Sequence, residues 1–519
     1  MSPSTWLPDP SHYPEQLTPL SASVWFEAIG YGIHESMREL RGPFGGFEAR
    51  TELGWAYEGE LEPDWEPKEG ALREAALELP ERWERELRPR AHEITAALHA
   101  LRPERVSGED VVAVFDRMWT LVLDQWVVHF LAVIPAQTSI EMAFEAFVEE
   151  HGDEDPLAPY RLLQGPNETT EADDMLRRLA GLAKDLDVAD VVATYPVETA
   201  LERLRELRSG RTWIRELDAY LDRFGGRARL HELSLPREVE RPEMTLESIR
   251  LFLEAGDAEP PRNAAPPEAP DVSARLGEIL PAARFGYGLK ESHVYHIDYP
   301  GLLATREVLL GFGRRLLAEG VLESLDDLWM LWRPELRDAL VGDAPDLAAI
   351  AEARRGELAE GRVEGPRLYL GEPPAERDRE AILEKFYGRG GGRVEEGALR
   401  GEGASPGVAE GPVRVVAGPA DFRRVRAGDV VVAATTTPAW TPLFPSIAAL
   451  ITETGGILSH AAIVAREYSL PAVVGAADAT RLLPDGAIVR VDGATGIVAV
   501  LGPGGSGDPE RHEVAVPDR

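Results

Sequence analysis

The sequence predicts a multidomain protein: a large, mainly α-helical N-terminal domain and a smaller C-terminal α/β domain. Three observations carry this. Apolar residues recur at helical spacing through residue 387. Glycines then cluster in Gly388-Arg389-Gly390-Gly391-Gly392-Arg393, a run with little backbone restriction. Beyond it the pattern becomes period two, with short apolar runs. A length of 519 residues gives room for several domains and a large core, so no disulfide or metal staple is needed for folding.

Residues 1–25 are rich in Pro and Ser and read as extended. Helical periodicity follows over 71–100, 110–134, 139–151, 171–186, 197–207 and 212–224. A further helix is predicted over 245–253, with Thr245 as its N-cap. These make a first region, 1–257. Residues 258–272 include Pro260, Pro261, Pro266, Pro267 and Pro270; proline lacks the amide donor, so this is a linker or excursion. Helix is expected again over 299–319, 344–358 and 376–386, giving a helical continuation at 273–387. The glycine run opens a hinge, 388–402. Strands are predicted at 413–416, 429–433, 449–452, 472–474, 488–491 and 497–501, with one helix, 460–468, among them, in a domain covering 403–501. The tail, 502–519, reads as flexible.

Charge narrows the partners. Lys and Arg number 55 against 90 Asp and Glu, a formal net charge of −35. That excludes a basic phosphate-binding surface, so neither nucleic acid nor an anionic membrane is an expected partner. Zero Cys excludes a disulfide scaffold, a thiolate nucleophile and Cys-ligated zinc, and no protein-held metal is expected. The most apolar stretch, 118–136, contains Asp124, Gln125 and His129, too polar for an unassisted span, and reads as a buried helix. The opening Met1-Ser2-Pro3-Ser4-Thr5-Trp6 has neither a basic start nor an apolar core, so a soluble cytoplasmic protein is expected.

One segment carries chemistry: Thr452-Glu453-Thr454-Gly455-Gly456-Ile457-Leu458-Ser459-His460, continuing into Ala461–Glu467. A strand ends at Thr452, and Gly455 and Gly456 permit a sharp turn with close approach of a ligand to backbone. Ser459 suits an N-cap, which puts His460 on the first helical turn. Unpaired amides and the helix dipole there favour an anion and disfavour an imidazolium. A neutral, nucleophilic imidazole whose phosphorylated form is stabilised by those amides fits the pattern; so does a structural histidine at a helix start.

The segment resembles the phosphohistidine swivelling domain of the PEP-utilising enzymes, a family including pyruvate phosphate dikinase, PEP synthase, rifampicin phosphotransferase and phenylphosphate synthase. Residues 403–411, Thr436-Thr437-Pro438-Ala439-Trp440-Thr441-Pro442-Leu443, Leu470-Pro471-Ala472-Val473-Val474-Gly475 and Val491-Asp492-Gly493-Ala494-Thr495-Gly496 carry the resemblance along the domain. It implies His460 as phosphoryl carrier, with Gly455, Gly456, Ser459 and Arg466 around the phosphate. Dikinases usually have Thr two residues before the histidine; Leu458 stands there, which looks more like the rifampicin and phenylphosphate branch.

More weakly, the N-terminal region resembles the acceptor-binding part of rifampicin phosphotransferase. The residues are Asp9–Pro14, Leu221-Asp222-Arg223-Phe224-Gly225-Gly226-Arg227, and Lys290-Glu291-Ser292-His293-Val294-Tyr295-His296-Ile297-Asp298, the last against an Arg-Glu-x-His-x-x-x-Asp segment with displaced spacing. The resemblance implies Lys290 as a phosphate-neutralising cation, with Glu291 or His293 as the base for an acceptor hydroxyl. His12, Trp119 and Trp126 are candidate walls of the acceptor pocket. His92, His99, His129, His151, His231 and His512 read as structural or surface residues. No nucleotide-binding domain is evident. The resemblance therefore implies ATP with Mg²⁺ on a separate ATP-grasp subunit and a small hydroxyl- or enol-bearing acceptor. The rivals are a PEP-dependent transfer without nucleotide and a binding protein that has lost catalysis.

Overall fold

The computed structural model describes residues 3–8, 13, 15–106, 108, 110–152, 155, 157–165, 167–227, 232–255, 273–343, 345–373, 392–394 and 398–502. They fall into two compact units, residues 1–382 with 437–442, and residues 383–436 with 443–519.

The first unit is helical. Its helices are α1 (Pro19–Glu39), α2 (Ala71–Arg82), α3 (Arg88–Ala100), α4 (Asp110–His151), α5 (Ala158–Arg161), α6 (Glu168–Asp185), α7 (Ala189–Thr194), α8 (Val197–Glu206), α9 (Arg208–Phe224), α10 (Glu243–Ala255), α11 (Ala274–His293), α12 (Tyr299–Ala318), α13 (Arg333–Leu340) and α14 (Leu347–Glu364). Two π-turns join neighbours: Trp83–Leu87 between α2 and α3, and Val294–Asp298 between α11 and α12. A small antiparallel sheet of β1 (Thr5–Pro8), β2 (Phe47–Glu52), β3 (Trp55–Glu60) and β4 (Leu370–Gly371) lies in the same unit, in the order β2-β3-β1-β4.

Burial explains where the elements depart from local expectation. Residues 1–25 are not all extended: α1 begins at Pro19, where a missing amide costs nothing, and Leu20, Ala22, Val24 and Trp25 bury against the main core. The two helices expected at 110–134 and 139–151 are one helix of 42 residues, α4, which runs through Pro135. Proline removes one helical hydrogen bond, but both flanks are held by burial of Leu131, Ala132, Ala136 and Ile140. Thr245 does not cap its helix. It lies inside α10, and its amide and hydroxyl both donate to Glu238. Helix α11 was missed because Leu276, Ile279, Leu280, Ala282, Ala283, Tyr287 and Leu289 are buried around much of its circumference, which erases the one-sided stripe. Gly286 lets it approach α4 closely, since a Cβ there would meet Ser139 Oγ at 2.3 Å. The expected linker 258–272 and helix 376–386 lie outside the described residues.

Two cores fill this unit. One gathers α1, α3, α4 and α12; the other is built on α6, α8, α9 and α10 around Trp213, Tyr220 and Phe224. Among the described residues α4 is the one helix long and apolar enough to cross a membrane by length and composition, and over half of its apolar window is buried.

The second unit is a nine-stranded sheet with β5 (Gly392–Val394), β6 (Ala398–Arg400), β7 (Glu402–Ser405), β8 (Val408–Val415), β9 (Val430–Ala433), β10 (Ala449–Thr452), β11 (Ala472–Val474), β12 (Ile488–Asp492) and β13 (Ile497–Gly502). Its order is β5-β6-β13-β12-β8-β9-β10-β11-β7. Strands β8, β9, β10 and β11 are mutually parallel, with Val432 opposite Ile451 and Ile451 opposite Val473; antiparallel strands flank them. Every residue of β9, β10 and β11 is buried, as expected of parallel strands covered on both faces. Of the hinge predicted at 388–402, residues 388–391 and 395–397 lie outside the described residues; 392–394 and 398–400 are paired strands, and 402 begins β7. Helix α15 (His460–Glu467) follows β10.

Candidate functional site

In the second unit the site is built within nine residues. Strand β10 ends at Thr452, whose hydroxyl donates to Thr454 O at 2.9 Å and bends the chain out of the sheet. Thr454 Oγ1 donates to Ala434 O at 3.0 Å and fixes the start of the loop. Gly455 has φ +99°, and a Cβ there would sit 2.9 Å from Ser459 Cβ, so glycine is required on both counts. Ser459 N donates to Gly456 O at 2.9 Å, and Ser459 Oγ accepts from Ala462 N at 3.4 Å as the N-cap. His460 is therefore the first residue of α15, half-buried, with its ring centroid 6.5 Å from that of Phe444. This places a histidine outside the carboxyl end of a buried parallel strand and at a helix N-terminus, where anions bind.

Arg466 is 1 % exposed, and its Nη1 and Nη2 donate to Ala404 O at 2.7 Å and Ile457 O at 2.6 Å. In this geometry the guanidinium fastens the loop before His460 to β7.

In the helical unit, α11 and the π-turn that follows it bring a second set together. His293 and Asp298 are five residues apart, and the π-turn returns them to one side of the helix. His129, from α4, meets them: its Nδ1 is 2.8 Å from Asp298 Oδ1, and His293 Nε2 is 3.7 Å from Asp298 Oδ2. His293 Nδ1 lies 2.8 Å from Leu289 O. Burial lowers the His293 imidazole to about 4 against the pull of Asp298, with His129 and Lys290 adding to the depression. Lys290, one turn earlier, is itself lowered by burial, opposed by Glu291 and Glu141. Glu291 is turned toward α6, where Thr169 Oγ1 donates to it at 3.3 Å. Beside it, burial would raise Glu168, but hydrogen bonds from His296 and Ser292 carry it down to about 2.

The three polar residues of the apolar stretch each have a task. Asp124 accepts from Arg90 at 2.9 Å, Gln125 Nε2 donates to Ile297 O at 3.1 Å inside the π-turn, and His129 meets Asp298. Gln125 thus pins the backbone of the turn that carries the cluster. The sequence reads His129 as structural or surface, since its partner is 169 positions away. Asp298 was within reach of the sequence, as an acid in the motif with displaced spacing.

Of the proposed acceptor walls, Trp126 adjoins this cluster: it is buried, 4.8 Å from the His129 ring and 5.1 Å from Trp25. Trp119 does not; the Arg333 guanidinium lies 4.6 Å over its ring, and Arg333 pairs with Glu27. In this structure it packs under the Arg333 guanidinium. His12 lies outside the described residues. Neither of two described cavities, one of 480 Å³ beside Lys68 and Glu141 and one of 330 Å³ beside Arg102 and Arg314, is lined by Trp119, Trp126 or His293.

Residues 425–496 match the family model of the PEP-utilising enzyme mobile domain, and residues 129–285 match that of the rifampicin phosphotransferase fourth domain. Over 96 % of its length the chain is 30 % identical to chondramide synthase of Chondromyces crocatus, covering 14 % of that protein. Over the same share it is 28 % identical to the uncharacterised phosphotransferase YvkC of Bacillus subtilis, covering 62 % of it. Over 61 % of its length it is 32 % identical to rifampicin phosphotransferase of a Streptomyces species, covering 39 % of that enzyme. The chain spans less than two thirds of the length of these curated relatives. The two family matches agree with the resemblances read from the sequence, over 425–496 and 129–285, and two of these relatives are named as phosphotransferases.

Proposed function

We propose that the protein is a phosphotransferase, or one subunit of one, that carries a phosphoryl group on His460. The observation that supports it most is the seat of His460 at the N-terminus of α15, beyond a glycine turn at the end of a buried parallel strand. A ring nitrogen of His460 attacks the phosphorus of the donor; the N–P bond forms as the P–O bond to the leaving group breaks. The helix dipole favours the phosphorylated, negatively charged form. In the second step an acceptor hydroxyl oxygen attacks phosphorus, the N–P bond breaks, and the hydroxyl proton passes to a base. Splitting the transfer replaces one difficult displacement with two easier ones.

The donor is ATP, held with Mg²⁺ on a separate ATP-grasp subunit, as the resemblance to the PEP-utilising enzymes implies. Mg²⁺ neutralises charge on the phosphates there. The acceptor is a small hydroxyl- or enol-bearing molecule bound by the helical unit. Its candidate polar residues are Lys290, as a cation for the transferring group, and Glu291 or His293 as base.

The test is acid-labile labelling. The full chain is incubated with β- and γ-labelled ATP, with and without an ATP-grasp protein encoded beside it, and with labelled PEP. Label on His460 from ATP in the presence of the partner supports the reading. Label that survives His460→Ala, or no label in any combination, overturns it. Label from PEP alone replaces the donor.

A further inference from the structure

We propose that His129, His293 and Asp298 hold a divalent transition-metal cation in the helical unit. The site is built from these three side chains and does not depend on phosphoryl transfer.

Their candidate ligand atoms all lie within 4.8 Å of one another. The closest pairs are 2.8 Å for His129 Nδ1 to Asp298 Oδ1 and 3.7 Å for His293 Nε2 to Asp298 Oδ2. Around a cation with bonds near 2.1 Å, neighbouring ligand atoms stand roughly 3.0 Å apart in an octahedron and roughly 3.4 Å apart in a tetrahedron. The observed separations bracket both.

Protonation geometry points the same way. The Leu289 carbonyl can only accept, so at 2.8 Å it requires the proton on His293 Nδ1. His293 Nε2 then presents a lone pair toward the Asp298 carboxylate. At 3.7 Å the two are too far apart for a hydrogen bond, and acceptor faces acceptor. A cation between them would be coordinated by both. A backbone carbonyl on the far nitrogen is the usual outer partner of a metal-bound imidazole.

The site is also prearranged. On an α-helix, residues five apart lie about 140° away from one another around the axis. The π-turn Val294–Asp298 removes that divergence for His293 and Asp298, and Gln125 fastens the turn at Ile297 O. π-Turns of this kind are frequent at functional sites. Trp126 and Phe130, each with its ring centroid within 6.2 Å of its neighbours in the group, flank His129 on α4. The side chains of the three ligands remain 9–12 % exposed, which leaves a way in. Two nitrogens and one carboxylate suit Zn(II), Mn(II), Fe(II) or Co(II) better than Mg²⁺ or Ca²⁺, which prefer all-oxygen sets. Three protein ligands leave positions for water or for an oxygen of a bound molecule.

The experiment uses the full chain, stripped with a chelator, dialysed, and titrated calorimetrically with Zn(II) and with Mn(II). Co(II) binding is followed by its visible absorption. One saturable equivalent and a rise in melting temperature with Zn(II) are expected. His293→Gln and Asp298→Asn should weaken binding at least tenfold and abolish the cobalt bands, while His151→Gln, at the far end of α4, changes neither. Circular dichroism of the metal-free variants shows whether they keep the fold. If they do not, the parent decides alone, through its stoichiometry and cobalt spectrum. No saturable equivalent in the parent, a cobalt spectrum of hexa-aqua type, or undiminished affinity in a folded His129→Gln/His293→Gln variant would overturn the proposal, leaving a hydrogen-bonded His–Asp–His group.

Discussion

His460 and His293 are both held in place by helix geometry, but by opposite means. His460 starts a short helix, and everything that positions it lies within a few residues: Gly455 at positive φ, the Ser459 cap and the end of β10. His293 ends a long helix, and its partners come from elsewhere: Asp298 across a π-turn and His129 from α4. The first arrangement is written locally and needs only a firm base. The second exists only when distant helices pack, so its chemistry depends on the tertiary structure. A site of the first kind tolerates damage to the fold around it; one of the second kind does not.

Four substitutions test that contrast. The largest effect belongs to His460→Ala. Acid-labile labelling from ATP should vanish, while stability measured by urea unfolding changes by no more than about 1 kcal/mol, because the half-buried imidazole supports little packing. A large loss of stability would mean that the local site is also a structural one.

Arg466→Met comes next. Two buried carbonyls lose a charged donor, and removing one partner from such a group costs about 3–5 kcal/mol. Unfolding by denaturant should show this, with labelling lost in proportion to folded protein. Full stability with no labelling would show instead that Arg466 serves the phosphate directly.

Glu238→Gln tests the helical unit. Burial, only partly offset by the hydrogen bonds from Thr245 and the charge of Arg227, raises the Glu238 carboxyl from 4.5 to about 7. Between these values the unfolded chain ionises while the fold keeps its proton. That contribution to stability is therefore complete below pH 4.5 and is lost as pH rises toward 7. Glutamine cannot ionise, so the variant should gain on the parent by on the order of 3 kcal/mol across this window, read from melting curves at stepped pH. Parallel curves would show that Glu238 is ionised in the fold.

The smallest effect is that of Gln125→Leu. It leaves Ile297 O without its 3.1 Å donor and should cost about 1–2 kcal/mol. Amide hydrogen exchange should rise in residues 294–298 more than in α4. Unchanged exchange would mean that the π-turn is held by its own helix and not by the packing across it.

Legibility in the sequence followed the same division. Strands β8 to β13 of the second unit, the helix beginning at His460 and its cap were readable, because period-two runs, glycines and a serine act on their immediate neighbours; β5, β6 and β7 were not. So was the helical character of the first unit. Helix α11 was not, because it is apolar on most of its surface and shows no stripe. The hairpin of β2 and β3 was also missed. Its turn is Leu53-Gly54, both at positive φ, and leucine is not a residue that announces such a turn. For Arg466 the sequence shows only that it follows His460 on the same helix, and the fold adds that it donates to Ala404 O and Ile457 O. His129 carried no local mark at all.

The π-turn at Val294–Asp298 also bears on how such a chain can change by insertion and deletion. Elsewhere in a helix, adding one residue rotates everything that follows by about 100°. A π-turn absorbs the added residue as a local bulge and returns the chain to its former face. His293 and Asp298 are spaced by five; after loss of one residue between them they would be spaced by four, and on a plain α-helix they would still face the same way. Genes that differ by one codon at this point can therefore encode the same pair of side chains. An alignment gap placed there marks a change of helix type, with the histidine and the aspartate inherited intact.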